Sequence, residues 1–189
     1  MRVSKAKRQL SASKIPFLLL LLAMISSVTS AWALEPNKEG WYHTGDGVRV
    51  KKKIFNFDVY AIGHDMKCLP GAKSKQSVID SDCDKRLTWK MLRDVDAEAI
   101  RNALTEAYAL NGYKDAAKIA PFVAALNKEL KEKTFVTISY NATTKSTSIS
   151  VQGGGSATVP GVDFMRATWS IWFGRIDQPT LGDSLIKNL

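Results

Sequence analysis

Two cysteines and two histidines are the first residues to weigh for catalysis or metal ligation in this 189-residue chain. Their spacing supports neither. Cys68, Cys83, His43 and His64 form no CxxC or HxxxH pair, so they do not make a zinc ligand set, and no cysteine stands beside a histidine as an activated nucleophile would. A GxSxG elbow and a glycine-rich phosphate loop ahead of a helix are also missing. Gly153-Gly154-Gly155 follows one predicted strand and precedes another extended stretch, which reads as a loop or bulge. An isolated histidine is ordinarily a surface or satisfied core residue. One alternative stays open: a haem site with His64 or His43 as axial ligand and Trp89, Trp169 or Trp172 as lining.

The segment ahead of these residues reads as an address. Arg2, Lys5, Lys7, Arg8 and Lys14 precede an apolar run from Phe17 to Ile25, then small polar residues and Ala31-Trp32-Ala33. That order predicts a cleaved export signal over residues 1–33, with the mature domain at 34–189. The densely apolar run is far shorter than the roughly 20 residues of a spanning helix, so no membrane anchor is expected after cleavage. Five of the 27 basic residues leave with the signal and none of the 18 acidic ones, so the mature charge is 22 against 18, or +4. This weakens any nucleic-acid reading of the high isoelectric point. The expected location is periplasmic or secreted, where thiols pair, and Cys68 and Cys83 are expected to form a disulfide.

The mature chain has the pattern of an α+β domain: strands, helices, strands, helices. Thr44-Gly45-Asp46-Gly47 suggests a turn, followed by a strand within Val48–Met66 in which Phe55, Phe57 and Val59 alternate with Asn56 and Asp58. Arg86–Leu92 alternates in the same way. Asp96 is placed to cap a helix from Ala97 that ends at Asn111-Gly112. A second amphipathic segment carries Ile119, Phe122, Val123, Leu126 and Leu130 on one face, with Pro121 assigned to its first turn. A hairpin is predicted from Thr134–Tyr140 and Ser146–Val151, then a buried helix over Asp163–Phe173 ended by Gly174, and a short helix over Thr180–Leu189.

The order of Gly45-Asp46-Gly47-Val48-Arg49, Val59-Tyr60-Ala61-Ile62-Gly63, Val159-Pro160-Gly161-Val162-Asp163-Phe164 and Ile171-Trp172-Phe173-Gly174 resembles the chalcone isomerase superfamily, in particular its bacterial secreted branch. The resemblance runs from Gly40 to about Ile186. It implies an open-faced β-sandwich: a large antiparallel sheet packed against a layer of helices, with a ligand cleft between them.

The plant enzymes of that superfamily use an arginine and a threonine on early strands, a tyrosine and an asparagine on the first helix, and a late hydroxyl. Arg49 matches the arginine and Lys90 a nearby family lysine. The other positions fall at Tyr60, near Asp96 and Ala103, and at Ile171. Loss of the ketone-polarising groups removes the electrostatic stabilisation that ring closure needs. Non-catalytic members that bind fatty acids hold the carboxylate with an arginine and a tyrosine on these strands, and Arg49 and Tyr60 resemble that pair. A guanidinium fork and a phenol can both donate to one carboxylate in an apolar cleft.

Tyr60 shares the phase of Asn56 and Asp58, so it faces the cleft only if the strand carries a bulge. Otherwise Arg49 is a structural salt-bridge residue and Tyr60 an ordinary strand residue. The resemblance therefore implies a binding protein for an apolar or amphipathic molecule such as a fatty acid, with Arg49, Tyr60, Lys90 and Trp169 as candidate site residues. The alternative is an isomerase or lyase relying on Arg49, Tyr60 and Lys90.

Overall fold

The computed structural model describes residues 34–52 and 56–189. The predicted leader, 1–33, lies outside them, as do residues 53–55, including Phe55.

Six strands form one antiparallel sheet in chain order: β1 (Tyr42–Lys52), β2 (Asn56–Met66), β3 (Lys85–Met91), β4 (Phe135–Asn141), β5 (Ser146–Val151) and β6 (Ser156–Pro160). Side chains alternate across a strand, and one face of β2 to β5 is buried: Ile62, Leu87, Trp89, Ile138 and Ile149 are all 2% exposed or less. Five helices supply the other half of the core: α1 (Lys75–Asp80), α2 (Ala97–Leu110), α3 (Ala116–Ala124), α4 (Val162–Phe173) and α5 (Pro179–Ser184). The expected α+β architecture, a large antiparallel sheet against a helical layer, is the one observed. α4 is the central helix. It packs on α1, α2, α5 and β5, and eight of its twelve residues are buried, as its nearly all-round apolar sequence requires. No helix among the described residues is long and apolar enough to cross a membrane.

The start of the sheet differs from the sequence expectation. Thr44–Gly47 is part of β1 rather than a turn, and the single strand expected within Val48–Met66 is two strands of a hairpin. The glycines here serve close approach: a Cβ on Gly45 would collide with the Ser184 carbonyl and one on Gly47 with Leu181 Cδ1 of α5. Pro121 is the sixth residue of α3, not a first-turn residue, because the helix starts at Ala116 with Asp115 as its cap. Asp96 caps α2 as its sequence implies, accepting from the amides of Glu98 and Ala99. The polar stretch between the cysteines contains α1, which buries Val78 and Ile79, and Cys68 and Cys83 are bonded across it.

A candidate ligand cavity between the first hairpin and the helical layer

Two bulges shape the first hairpin. Arg49 pairs with Tyr60 and Val50 with Asp58, so Val59 is the extra residue of β2. Ahead of it Phe57 and Val59 are half-buried on the helical side; after it Tyr60, Ile62, His64 and Met66 take over that side and are buried. A bulge inverts strand parity, and here it brings Phe57, Val59 and Tyr60 onto one wall. The second bulge, at Thr44 of β1, turns that hydroxyl inward beneath His64.

That wall faces a cavity of about 760 Å³, within the range of small-molecule sites. Opposite the hairpin stand Ala99, Ala103, Ala107 and Leu110 of α2 and Ile171 and Trp172 of α4. The small alanine side chains of α2 leave the space that larger residues would fill. The lining also carries Arg49, Lys51, Arg93, Arg175, Glu106 and Asp177, of which Arg49 and Lys51 lie against Asp177.

Arg49 is well fixed. Its Nη2 lies 2.6 Å from Asp177 Oδ1, and its Nη1 donates to Gln178 Oε1 and to the Val50 carbonyl, both at 3.3 Å. Burial alone would raise the Asp177 carboxyl. The Arg49 guanidinium and the Lys51 ammonium outweigh it and hold the group below the usual carboxylate range. Tyr60 is 5% exposed, stacks on Trp89 with centroids 4.8 Å apart, and accepts a hydrogen bond of 3.0 Å from Trp172 Nε1. Burial pushes its phenol up, so it is a neutral donor, and among the described residues its own proton has no acceptor.

The family model described as chalcone isomerase-like matches residues 26–185. The chain belongs to the chalcone isomerase-like family. Among solved structures, a fatty-acid binding protein from Arabidopsis thaliana superposes with a TM-score of 0.65 at 15% identity, over 81% of this chain and 90% of that one. At that identity the likeness establishes the shared fold. No curated protein sequence matches this chain.

Within this chalcone isomerase-like frame the sequence-derived residues separate. Arg49 and Tyr60 are direct cross-strand neighbours on the cavity wall. Lys90 is not on it: Leu87, Trp89 and Met91 take the inward phase of β3, which leaves Lys90 exposed on the open face of the sheet. Trp169 is not on it either. It lies one turn of α4 before Trp172, is fully buried, and donates from Nε1 to His64 Nε2 at 2.9 Å. Of the positions where the resemblance places polar catalytic groups, Ala103 and Ile171 present only carbon to the cavity and Asp96 caps α2 with its carboxylate.

Both ring nitrogens of each histidine are engaged. His43 bridges Asp46 and Asp65 at 2.8 Å each, and His64 lies between Trp169 and Thr44. Trp172 of the wall was singled out in the sequence only as a haem-lining candidate, and Asp177, on the wall, and Gln178, which holds Arg49 from beside it, carried no sequence signal. Trp172 stands three residues beyond Trp169 in a helix apolar all round, so periodicity alone could not choose between the two. Asp177 and Gln178 reach Arg49 across about 130 residues of chain.

Proposed function

We propose that this protein binds a single apolar or amphipathic molecule, of which a fatty acid is the type, in the cavity between the first hairpin and α2, and does not turn it over. The observation that carries this reading is the composition of the wall. Carbon makes up much of the wall, Arg49 and Tyr60 with its undonated hydroxyl are cross-strand neighbours on it, and Ala103 and Ile171, where the resemblance places ketone-polarising groups, offer only carbon. A neutral donor beside a guanidinium suits an anionic or strongly accepting head with its tail among Ile100, Leu104 and Ile171. The fatty-acid binding protein that shares the fold supports the same reading. Export to the periplasm or beyond, with residues 1–33 removed, is part of this proposal. It rests on the leader pattern and accords with the Cys68–Cys83 bond.

Native mass spectrometry of the protein as isolated tests this directly, followed by titration of delipidated protein with dodecanoate and an assay of chalcone cyclisation. A co-purifying amphiphile, saturable dodecanoate binding and no cyclisation above the spontaneous rate are expected. Catalysed cyclisation would restore an isomerase reading, and failure to bind any apolar probe would remove the binding one.

A further inference from the structure

The Arg49 fork is already occupied by a carboxylate, and that carboxylate belongs to the protein. We infer that Asp177 stands in for the ligand's own head group, so that the cavity selects carboxylate-headed amphiphiles and loads them by exchange at Arg49. This inference rests on the binding reading above and adds its control: a carboxylate of the protein itself that the ligand head must displace.

The geometry divides the Arg49 contacts into fixed and exchangeable ones. Gln178 is clamped along the free edge of β1: its Oε1 accepts from the Val50 amide at 2.8 Å and its Nε2 donates to the Val48 carbonyl at 2.8 Å. The Gln178 oxygen and the Val50 carbonyl hold Nη1 and so set the plane of the guanidinium. Among the described residues Asp177 alone holds Nη2, from a side chain that is 55% exposed, whereas that of Arg49 is 14% exposed. It also lies 3.5 Å from Lys51 Nζ, a partner it keeps when it leaves Arg49. Rotation of one exposed side chain therefore frees Nη2 without moving the segment that Gln178 anchors. An incoming carboxylate takes the same charge-assisted bond and gains the unspent Tyr60 proton, which Asp177 does not use. Two carboxylates on one guanidinium repel, so Asp177 and ligand compete. An alcohol or ester has no claim on Nη2 comparable with that of an anion and binds without displacing Asp177.

The test uses protein expressed from the full-length chain and freed of lipid, as wild type and Asp177→Asn, titrated with dodecanoate and with dodecanol by Trp fluorescence and calorimetry. Removing the competing charge is expected to tighten dodecanoate about fivefold, an effect moderated by the exposure of the ion pair, and to leave dodecanol within about twofold. Asp177→Glu, which keeps the charge, should resemble wild type. Unchanged or weakened dodecanoate binding in Asp177→Asn overturns the exchange. Equal tightening of both probes overturns it too, since the substitution would then merely widen the mouth. Dodecanol binding without dodecanoate binding rejects the carboxylate class but leaves the apolar cavity standing, whereas failure of both probes in both proteins removes the binding reading itself. If Asp177→Asn melts below wild type, Asp177→Ser provides the same comparison.

Discussion

Two indole locks join α4 to β2, and they differ in what surrounds them. Trp169 Nε1 donates to His64 Nε2 and Trp172 Nε1 donates to Tyr60 Oη, at 2.9 and 3.0 Å, with the two acceptors four residues apart on the same face of the strand. At the His64 lock every group has an outlet. Because Nε2 accepts, the neutral ring carries its proton on Nδ1 and donates to Thr44 Oγ1 at 2.7 Å, and Thr44 passes its own proton to the Leu185 carbonyl at 2.7 Å. Burial, assisted by the nearby Lys85 ammonium, holds the His64 pKa well below its usual value. Burial likewise depresses Lys85 to about 7 while its Nζ caps the Val78 and Ile79 carbonyls of α1. At the Tyr60 lock the relay stops: the phenol proton has no acceptor among the described residues, and a cavity opens beside it. One lock is closed by its own partners and the other borders an open cavity.

The largest expected effect falls on the closed lock. His64→Ala leaves a void and strands both the Trp169 indole and Thr44, so it should destabilise the fold by about 3 kcal/mol in urea unfolding while the residual folded protein still binds dodecanoate. pH supplies a second handle. The unfolded chain protonates His64 below its ordinary value of 6.5 whereas the folded chain refuses the proton, so this residue's contribution is present above that pH and lost below it. The stability gap between wild type and His64→Ala should therefore narrow from pH 7 to pH 5. A gap constant over that range would mean that the folded protein accepts the proton.

A slightly smaller effect is expected from the disulfide, which lies at the same closed end. Cys68 and Cys83 are 15 residues apart and tie down α1, which packs on α4. Replacing both by Ala should cost about 2–3 kcal/mol on loop-closure grounds and leave dodecanoate affinity unchanged. A change in affinity would show that the two ends of α4 are coupled.

Arg49→Ala acts at the open end and should do the opposite. Its partner Asp177 is exposed, so stability should barely move. Loss of a charge-assisted bond to the ligand, about 1.5–3 kcal/mol, should weaken dodecanoate about tenfold to a hundredfold. Equal affinities would make Arg49 an ordinary salt-bridge residue.

The same division governs what the sequence reveals. Periodicity and capping residues are local, so β3, the β4–β5 hairpin, α2 and α4 could be read from adjacent residues alone. Resemblance placed Arg49 and Tyr60, but only the Val59 bulge explains how a residue in the phase of Asn56 and Asp58 turns inward. A bulge has no signature in the alternation that it breaks. Gly45 and Gly47 were misassigned because a glycine pair looks the same whether it makes a turn or admits α5. Lys90 failed on strand parity and Trp169 on helical phase, both of which need the partner surface before they can be settled. Asp177 needed the chain folded back on itself.

The smallest effect is the one that distinguishes the two locks most finely. Tyr60→Phe keeps the ring stacked on Trp89 and changes the cavity by a single oxygen, but removes the acceptor of Trp172 and the free proton. Stability should fall by about 1 kcal/mol, less than at His64, because only one neutral hydrogen bond is lost and the Trp172 indole borders the cavity, where water can reach it. Dodecanoate affinity should fall about threefold, as expected for a neutral donor. If Tyr60 and Arg49 grip the same carboxylate, Tyr60→Phe in an Arg49→Ala background should cost less than it does alone, since the head group is no longer held within reach of the phenol. Additive losses in that double-mutant cycle would place the two donors on different parts of the ligand, and an unchanged affinity in Tyr60→Phe would make the second lock as purely structural as the first.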